Sequence, residues 1–130
     1  MRYALGVLGP APVAMAWERY ADPGLWSIWA PQIRSVTWAG GGAIAPGRSG
    51  VVHAIAGVDV PFTVTEVDAR AHDWSWIVRP LGVTLRMRHT LEEVGDRTRA
   101  GLEIDGPLPA VLGYAPVARI ALRRLLAAGG

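Results

Sequence analysis

At 130 residues the chain has the size of one domain, large enough for a single core or for a core with a hollow in it. Its thirteen basic residues are all arginine and stand against eleven acidic ones, so the formal charge of +2 argues against a nucleic-acid surface. Cysteine is absent, which excludes disulfide staples and a nucleophilic thiol, and no apolar run approaches the roughly 20 residues of a membrane-spanning helix.

The first strand is expected at 2–8, ended by Gly9, Pro10 and Pro12. This opening carries one basic residue and a Gly/Pro-broken apolar run, which does not make a secretory signal, so the cytoplasm is the expected location. The missing lysine and abundant Ala, Gly, Arg and Pro suggest a high-GC bacterial gene. A short helix follows over AMAWERYAD, residues 14–22. Asp22 is a suitable N-cap for a second, with Pro23 at its first position, Leu25, Trp26 and Trp29 at helical spacing, and Pro31 as the stop.

From Ile33 the apolar period switches to two, giving strands at about 33–39, 48–56, 58–68, 72–79, 82–93 and 98–105. A long apolar helix over 108–127 closes the chain, interrupted by Pro116, which is expected to kink it. A turn at Pro80 and Leu81 would set Asp73 opposite Arg88, Trp74 opposite Met87 and Trp76 opposite Leu85. A loop at 94–97 would pair Arg88 with Glu103, Arg86 with Asp105, Glu92 with Arg99 and His89 with Leu102. Arg86, Arg88 and Arg99 then belong to solvated cross-strand pairs rather than to a phosphate-binding patch.

This order of elements is similar to the helix-grip fold of the START-type, polyketide cyclase/dehydrase (SRPBCC) superfamily. The segment APVAMAWERYADPGLWSIWAPQIRSVTWAG resembles its early pattern of a Pro-led helix, a "W, two residues, W, Pro" helix and a strand ending in Gly. TVTEVDARAHDWSWIV resembles its fourth and fifth strands, LEEVGDRTRAGLEI its last hairpin, and GPLPAVLGY through RRLLAAG its closing helix. The resemblance implies an α+β fold over residues 1–130, in which a curved antiparallel sheet grips the long helix around an apolar cavity with its mouth near the two short helices. Trp26 and Trp29 would then form wall and rim; that they instead plug a solid core stays open.

Strand parity collects Val51, His53 and Ile55, then Phe62, Val64 and Glu66, on the inner face. Trp74 and Trp76 follow, then Val83, Leu85, Met87 and His89. Three ionisable groups, His53, Glu66 and His89, thus face an apolar concavity, where burial shifts protonation equilibria toward acid–base use. His53 is too far along the sheet to form a dyad with His89, whereas Glu66 and His89 would address opposite ends of one ligand. His72, expected opposite His89, lacks the further ligands a metal needs.

On the closing helix, Tyr114 is a candidate oxygen-orienting group, and Arg119 falls within the stripe of Leu108, Val111, Leu112, Ala115, Leu122 and Leu126. An inward Arg119 would anchor an oxygen, and an outward one would snorkel to the surface; Arg34 is a similar candidate at the mouth. No phosphate loop, dinucleotide fingerprint, HExxH or Gly-x-Ser-x-Gly elbow occurs, so neither a metal nor another cofactor is expected. The resemblance implies a cyclase, aromatase or dehydratase for a polyketide-like substrate, with His89 and Glu66 moving protons and the tryptophans holding the substrate. A non-catalytic carrier or sensor of a lipid or hydrophobic metabolite is the alternative, followed by a surface-binding subunit with a filled core. The expected partner is a hydrophobic small molecule, with no nucleic acid and no membrane span; a homodimer stays open.

Overall fold

Period-two patterning produces seven antiparallel strands, and the computed structural model, which describes residues 1–128, joins them in one sheet. They are β1 (Arg2–Gly9), β2 (Ile33–Trp38), β3 (Ser49–Ala54), β4 (Asp59–Asp68), β5 (Asp73–Val78), β6 (Leu85–Val94) and β7 (Arg97–Asp105). The sheet order is β1-β7-β6-β5-β4-β3-β2: a meander from β2 to β7, with β1 added beside the last strand. Helix α1 (Val13–Ala21), a 3-10 turn (Pro23–Leu25) and the single turn α2 (Trp26–Trp29) follow β1, and α3 (Leu108–Leu125) closes the chain. This is the expected α+β helix-grip architecture.

Local chemistry explains the junctions. Asp22 Oδ1 accepts from the Gly24 amide at 2.9 Å and Pro23 opens the following turn, as the cap pattern implied. The Arg19 guanidinium donates to the carbonyls of Leu125 and Ala127 at 2.6 and 2.9 Å, so α1 satisfies acceptors orphaned at the end of α3. Helix α3 runs through Pro116, which lies on its exposed side.

The β6–β7 register is the expected one, including Arg88 opposite Glu103 and His89 opposite Leu102. In β5–β6 the register is shifted by two residues: Trp74 faces His89, Trp76 faces Met87 and Asp73 faces Thr90. The cause is the turn, which is longer than the two residues expected and holds Leu81 and Gly82 at φ +52° and +80°. A slip of two preserves every face, so Arg88 still reaches Asp73 diagonally at 2.6 Å.

Two odd slips do change faces. The 48–56 strand stops at Ala54, because Ala56 and Gly57 take positive φ in a tight turn, and β3 pairs with β4 so that Val52 meets Val60 and His53 meets Asp59. Val52 therefore points inward, Val51 and His53 do not share the inner face expected of them, and Ile55, just past the end of the strand, reaches the concave side only at its edge. In β4 a bulge between Val64 and Glu66 inserts one residue, so that Val67 packs on the core and Glu66 turns outward.

Burial on α3 follows Val111, Ala115, Ala118, Ala121, Leu122 and Leu125, while Leu108 and Leu112 are exposed. Half of that stripe is alanine, which lets the helix lie close to the concave sheet. Close approach also fixes Gly50: a Cβ there would sit 2.8 Å from Phe62 Cζ and 2.5 Å from the Thr37 carbonyl oxygen. Gly50→Ala is expected to destabilise the protein by about 1–3 kcal/mol through overpacking, read as a lower urea midpoint with an unchanged slope.

Candidate functional site: a divided interior

The concave side of the sheet is closed at one end by aromatic rings. Tyr20 from α1 and Trp26 and Trp29 from α2 meet Phe62, Trp74, Trp76 and His89 from the sheet. Trp26 stacks on Trp74 at 5.7 Å and meets Trp76 edge-on at 5.2 Å, and the His89 imidazole lies flat on Trp74 at 3.9 Å and 7°. Such contacts add about 0.5–1.5 kcal/mol per pair beyond the area they bury, so this end is rigid. Trp26 and Trp29 donate their indole N–H groups to the carbonyls of Tyr20 and Arg19 at 2.8 and 3.0 Å. The three tryptophans of the 26–38 segment thus divide their tasks: Trp26 and Trp29 plug the core, and Trp38 carries the Arg48 guanidinium 5.3 Å above its ring.

Two spaces remain. A chamber of about 30 Å³, room for a single water, lies inside the aromatic end against Tyr20, Trp74, Trp76, His89, Gln32 and Tyr114. A larger cavity of about 260 Å³ lies toward the other end of the concavity, between β3–β5, Leu85 and Met87 of β6, and Tyr114 and Val117 of α3. Its edge is built by the turns after β3 and β5, through Ile55, Val58 and Pro80, and not by the two short helices as expected. The half-exposed Ile55 marks that edge. Trp76, Gln32, Ile33 and Tyr114 wall both spaces and so form the partition between them.

Of the candidates from the sequence, Leu85, Met87, Trp76 and Tyr114 line the large cavity, whereas Trp26, Trp29, Trp74 and His89 line only the small chamber. Phe62 packs within the aromatic cluster. Glu66 stands on the outer face among Arg86, Arg88, Glu103 and Asp105, because the bulge beside it turned it over. His53 is also outside: Nδ1–H donates to Asp59 at 2.9 Å and Nε2 lies 2.7 Å from the Thr37 hydroxyl. Arg119 borders a shallow depression with Tyr3, Leu112 and Pro116, away from both interior spaces, and Arg34 is exposed. His72 pairs edge-on with Trp17 at 5.6 Å rather than standing opposite His89. Glu66 and His53 therefore face neither interior space, and no acid–base pair spans the large one.

His89 is the ionisable side chain of the interior that can change charge near neutrality, and burial prevents it. Its Nδ1 lies 3.2 Å from the Trp74 carbonyl, which only accepts, so Nδ1 carries the proton and Nε2 is left with a lone pair. Burial among rings pushes its pKa down to about 3, with the Trp74 carbonyl and Asp73 opposing weakly. Burial likewise holds the Tyr114 phenol above its usual range, though the Gln32 amide donating to it at 3.2 Å opposes the shift. Tyr20 is raised further by burial. At neutral pH the interior is uncharged, and it acts through shape and hydrogen bonds.

The sequence reading missed Gln32 and Tyr20, and the cavity edge at Val58 and Pro80, although it had set Ile55 on the inner face. Gln32 did carry a signal, a lone amide between Pro31 and the inward Ile33. The edge carried none, since its position depends on a turn with a non-Gly residue at positive φ.

The chain matches the family described as polyketide cyclase/dehydrase and lipid transport over residues 7–129 and belongs to that family. Among solved structures it is similar to a protein of Nitrosospira multiformis, with 20% identity over 97% of this chain and 94% of that one and a TM-score of 0.80. DynU16, a protein of the dynemicin biosynthetic locus, is 21% identical with a TM-score of 0.79; the match covers 96% of this chain and 45% of DynU16. Ara h 8.0201 is 15% identical over 96% and 95% of the two chains, with a TM-score of 0.76. At these identities the likeness is one of fold. No curated protein matches the sequence. Among the described residues no helix is long and apolar enough to cross a membrane.

The depressed pKa of His89 makes a stability prediction. The unfolded state, with an ordinary histidine near 6.5, binds the proton that the folded state refuses until about pH 3. His89 thus favours the fold fully above pH 6.5, and this contribution is lost as pH falls from 6.5 toward 3. Between pH 4 and 6 the wild type is expected to lose about 1.4 kcal/mol per pH unit more than His89→Gln, measured by urea unfolding at several pH values.

Proposed function

We propose that the protein binds a small, largely apolar, ring-bearing molecule in the 260 Å³ cavity and serves as its carrier or sensor. An apolar cavity of about 150 Å³ holds benzene, so this one suits a guest on the order of two fused rings. The observation that carries the reading is the lining: Val52, Val60, Val78, Leu85, Met87 and Val117 supply apolar wall, and the residues in it that carry polar side-chain groups are Gln32, Trp76 and Tyr114. Such a wall fixes a guest by shape and orients it through one or two hydrogen bonds. Neither a carboxylate nor a group titrating near neutrality lines it, which favours retention over proton transfer.

A second reading, a cyclase or dehydratase for a polyketide-like substrate, is supported by the family's description and by the locus of the similar DynU16. In that reading the wall would fold a reactive chain into a near-attack conformer and the Tyr114 hydroxyl would donate to a developing enolate. His89, with its pKa near 3, is too weak a base to remove a proton at pH 7 and would act as a neutral acceptor.

Val117→Trp should fill the cavity and weaken binding of the neutral fluorophore N-phenylnaphthylamine at least tenfold, while leaving the thermal midpoint equal or higher; unchanged affinity would place the guest elsewhere. A short poly-β-ketone thioester mimic should bind without faster ring closure. Acceleration that Tyr114→Phe abolishes would establish the cyclase and displace the carrier reading.

A further inference from the structure

Among the described residues, four buried side-chain atoms lack a hydrogen-bond partner: Tyr20 Oη, Trp74 Nε1, Trp76 Nε1 and Gln32 Oε1. All four residues line the 30 Å³ chamber, and Tyr20, Trp74 and Trp76 are each more than nine-tenths buried. Their clustering is tight, with ring centroids 5.5 Å apart for Tyr20 and Trp74 and 5.2 Å for Trp74 and Trp76. An unsatisfied buried polar group costs about 1–3 kcal/mol, and it is rare for four to share one space without a common partner.

We infer that the chamber is a hydroxyl-recognition subsite, in which a phenol- or enol-type oxygen of the bound molecule is held while its apolar body occupies the larger cavity. This rests on the carrier reading and specifies its ligand. The donor set selects the class. Indole N–H groups only donate, the Tyr20 hydroxyl donates or accepts, and the Gln32 oxygen accepts. A hydroxyl both accepts and donates, and so satisfies the indoles and Gln32 together, whereas a ketone or ether leaves the Gln32 oxygen unpaired. A carboxylate is disfavoured because no cation lines the chamber and His89 is neutral there. The volume admits one oxygen and not a ring.

The partition supports the same geometry. Gln32 and Tyr114 wall both spaces, and their mutual hydrogen bond is long, at 3.2 Å. A rotation of the Gln32 side chain would break its N–H bond to the Tyr114 hydroxyl, part the two residues and bring the unpaired amide oxygen to the entering hydroxyl. The subsite thus couples entry to recognition.

The test compares naphthalene, methoxynaphthalene and naphthol by titration calorimetry on the intact protein and on Tyr20→Phe and Trp74→Phe. Naphthol should bind about tenfold tighter than naphthalene and methoxynaphthalene, as two net hydrogen bonds provide. Each variant should cut that ratio at least threefold while leaving naphthalene affinity within twofold. Equal or weaker binding of naphthol, with naphthalene still bound, would overturn the subsite and leave the cavity reading intact. Failure of all three probes, together with N-phenylnaphthylamine, would overturn both. The unliganded Tyr20→Phe protein should be as stable as the wild type or more so, since it loses an unpaired hydroxyl; a lower urea midpoint would show the hydroxyl already satisfied and count against the proposal.

Discussion

The organisation of this protein depends on one packing event, the insertion of Trp26 between Phe62, Trp74 and Trp76 at one end of a concave sheet. A curved sheet of seven strands closed by a single long helix encloses more volume than the side chains of one helix can fill. The short helices α1 and α2 fill the excess at one end, where their aromatic residues interlock with those of β4, β5 and β6. At the other end the wall is mainly aliphatic and its edge is two turns, and a hollow remains beside the helix. Rigid support and open space are therefore adjacent, and a binding site needs both.

The same event sets the electrostatics. Rings on every side of His89 deny its charged form solvation, so a residue that ordinarily titrates near neutrality is locked neutral. Glu66 and His53, which acid–base chemistry would have needed, lie on the outer face with polar neighbours. Membership of the family therefore does not by itself assign a chemistry to this chain; the groups that line its hollow do.

How far the sequence could be read depended on the local rule involved. Strand existence, the Asp22 cap and the β6–β7 register rest on patterns within one hairpin or one helix start, and each was legible. The fold followed from the order of those elements. Cavity-facing residues required parity to carry across turns, and there a single residue decides. The bulge at 64–66 and the turn at 55–57 each reversed a face, so Glu66 and His53 left the interior although their strands were correctly placed. On α3 the buried stripe follows alanines, whose low hydrophobicity gave a helical projection little to distinguish, and so Arg119 was set in a stripe that it does not share. Trp26 and Trp29 stood out for their size, but size cannot separate a wall from a plug.

The central claim is that the interior is divided, hollow between the two turns and α3 and solid around Trp26 apart from a water-sized chamber. Xenon enters apolar voids without needing hydrogen bonds, so crystals pressurised with the gas report the division directly. Electron density for xenon among Val52, Val60, Leu85 and Val117, with none among Trp26, Phe62 and Trp74, is the predicted result. An empty region beside Val117, or xenon lodged within the tryptophans, would contradict it.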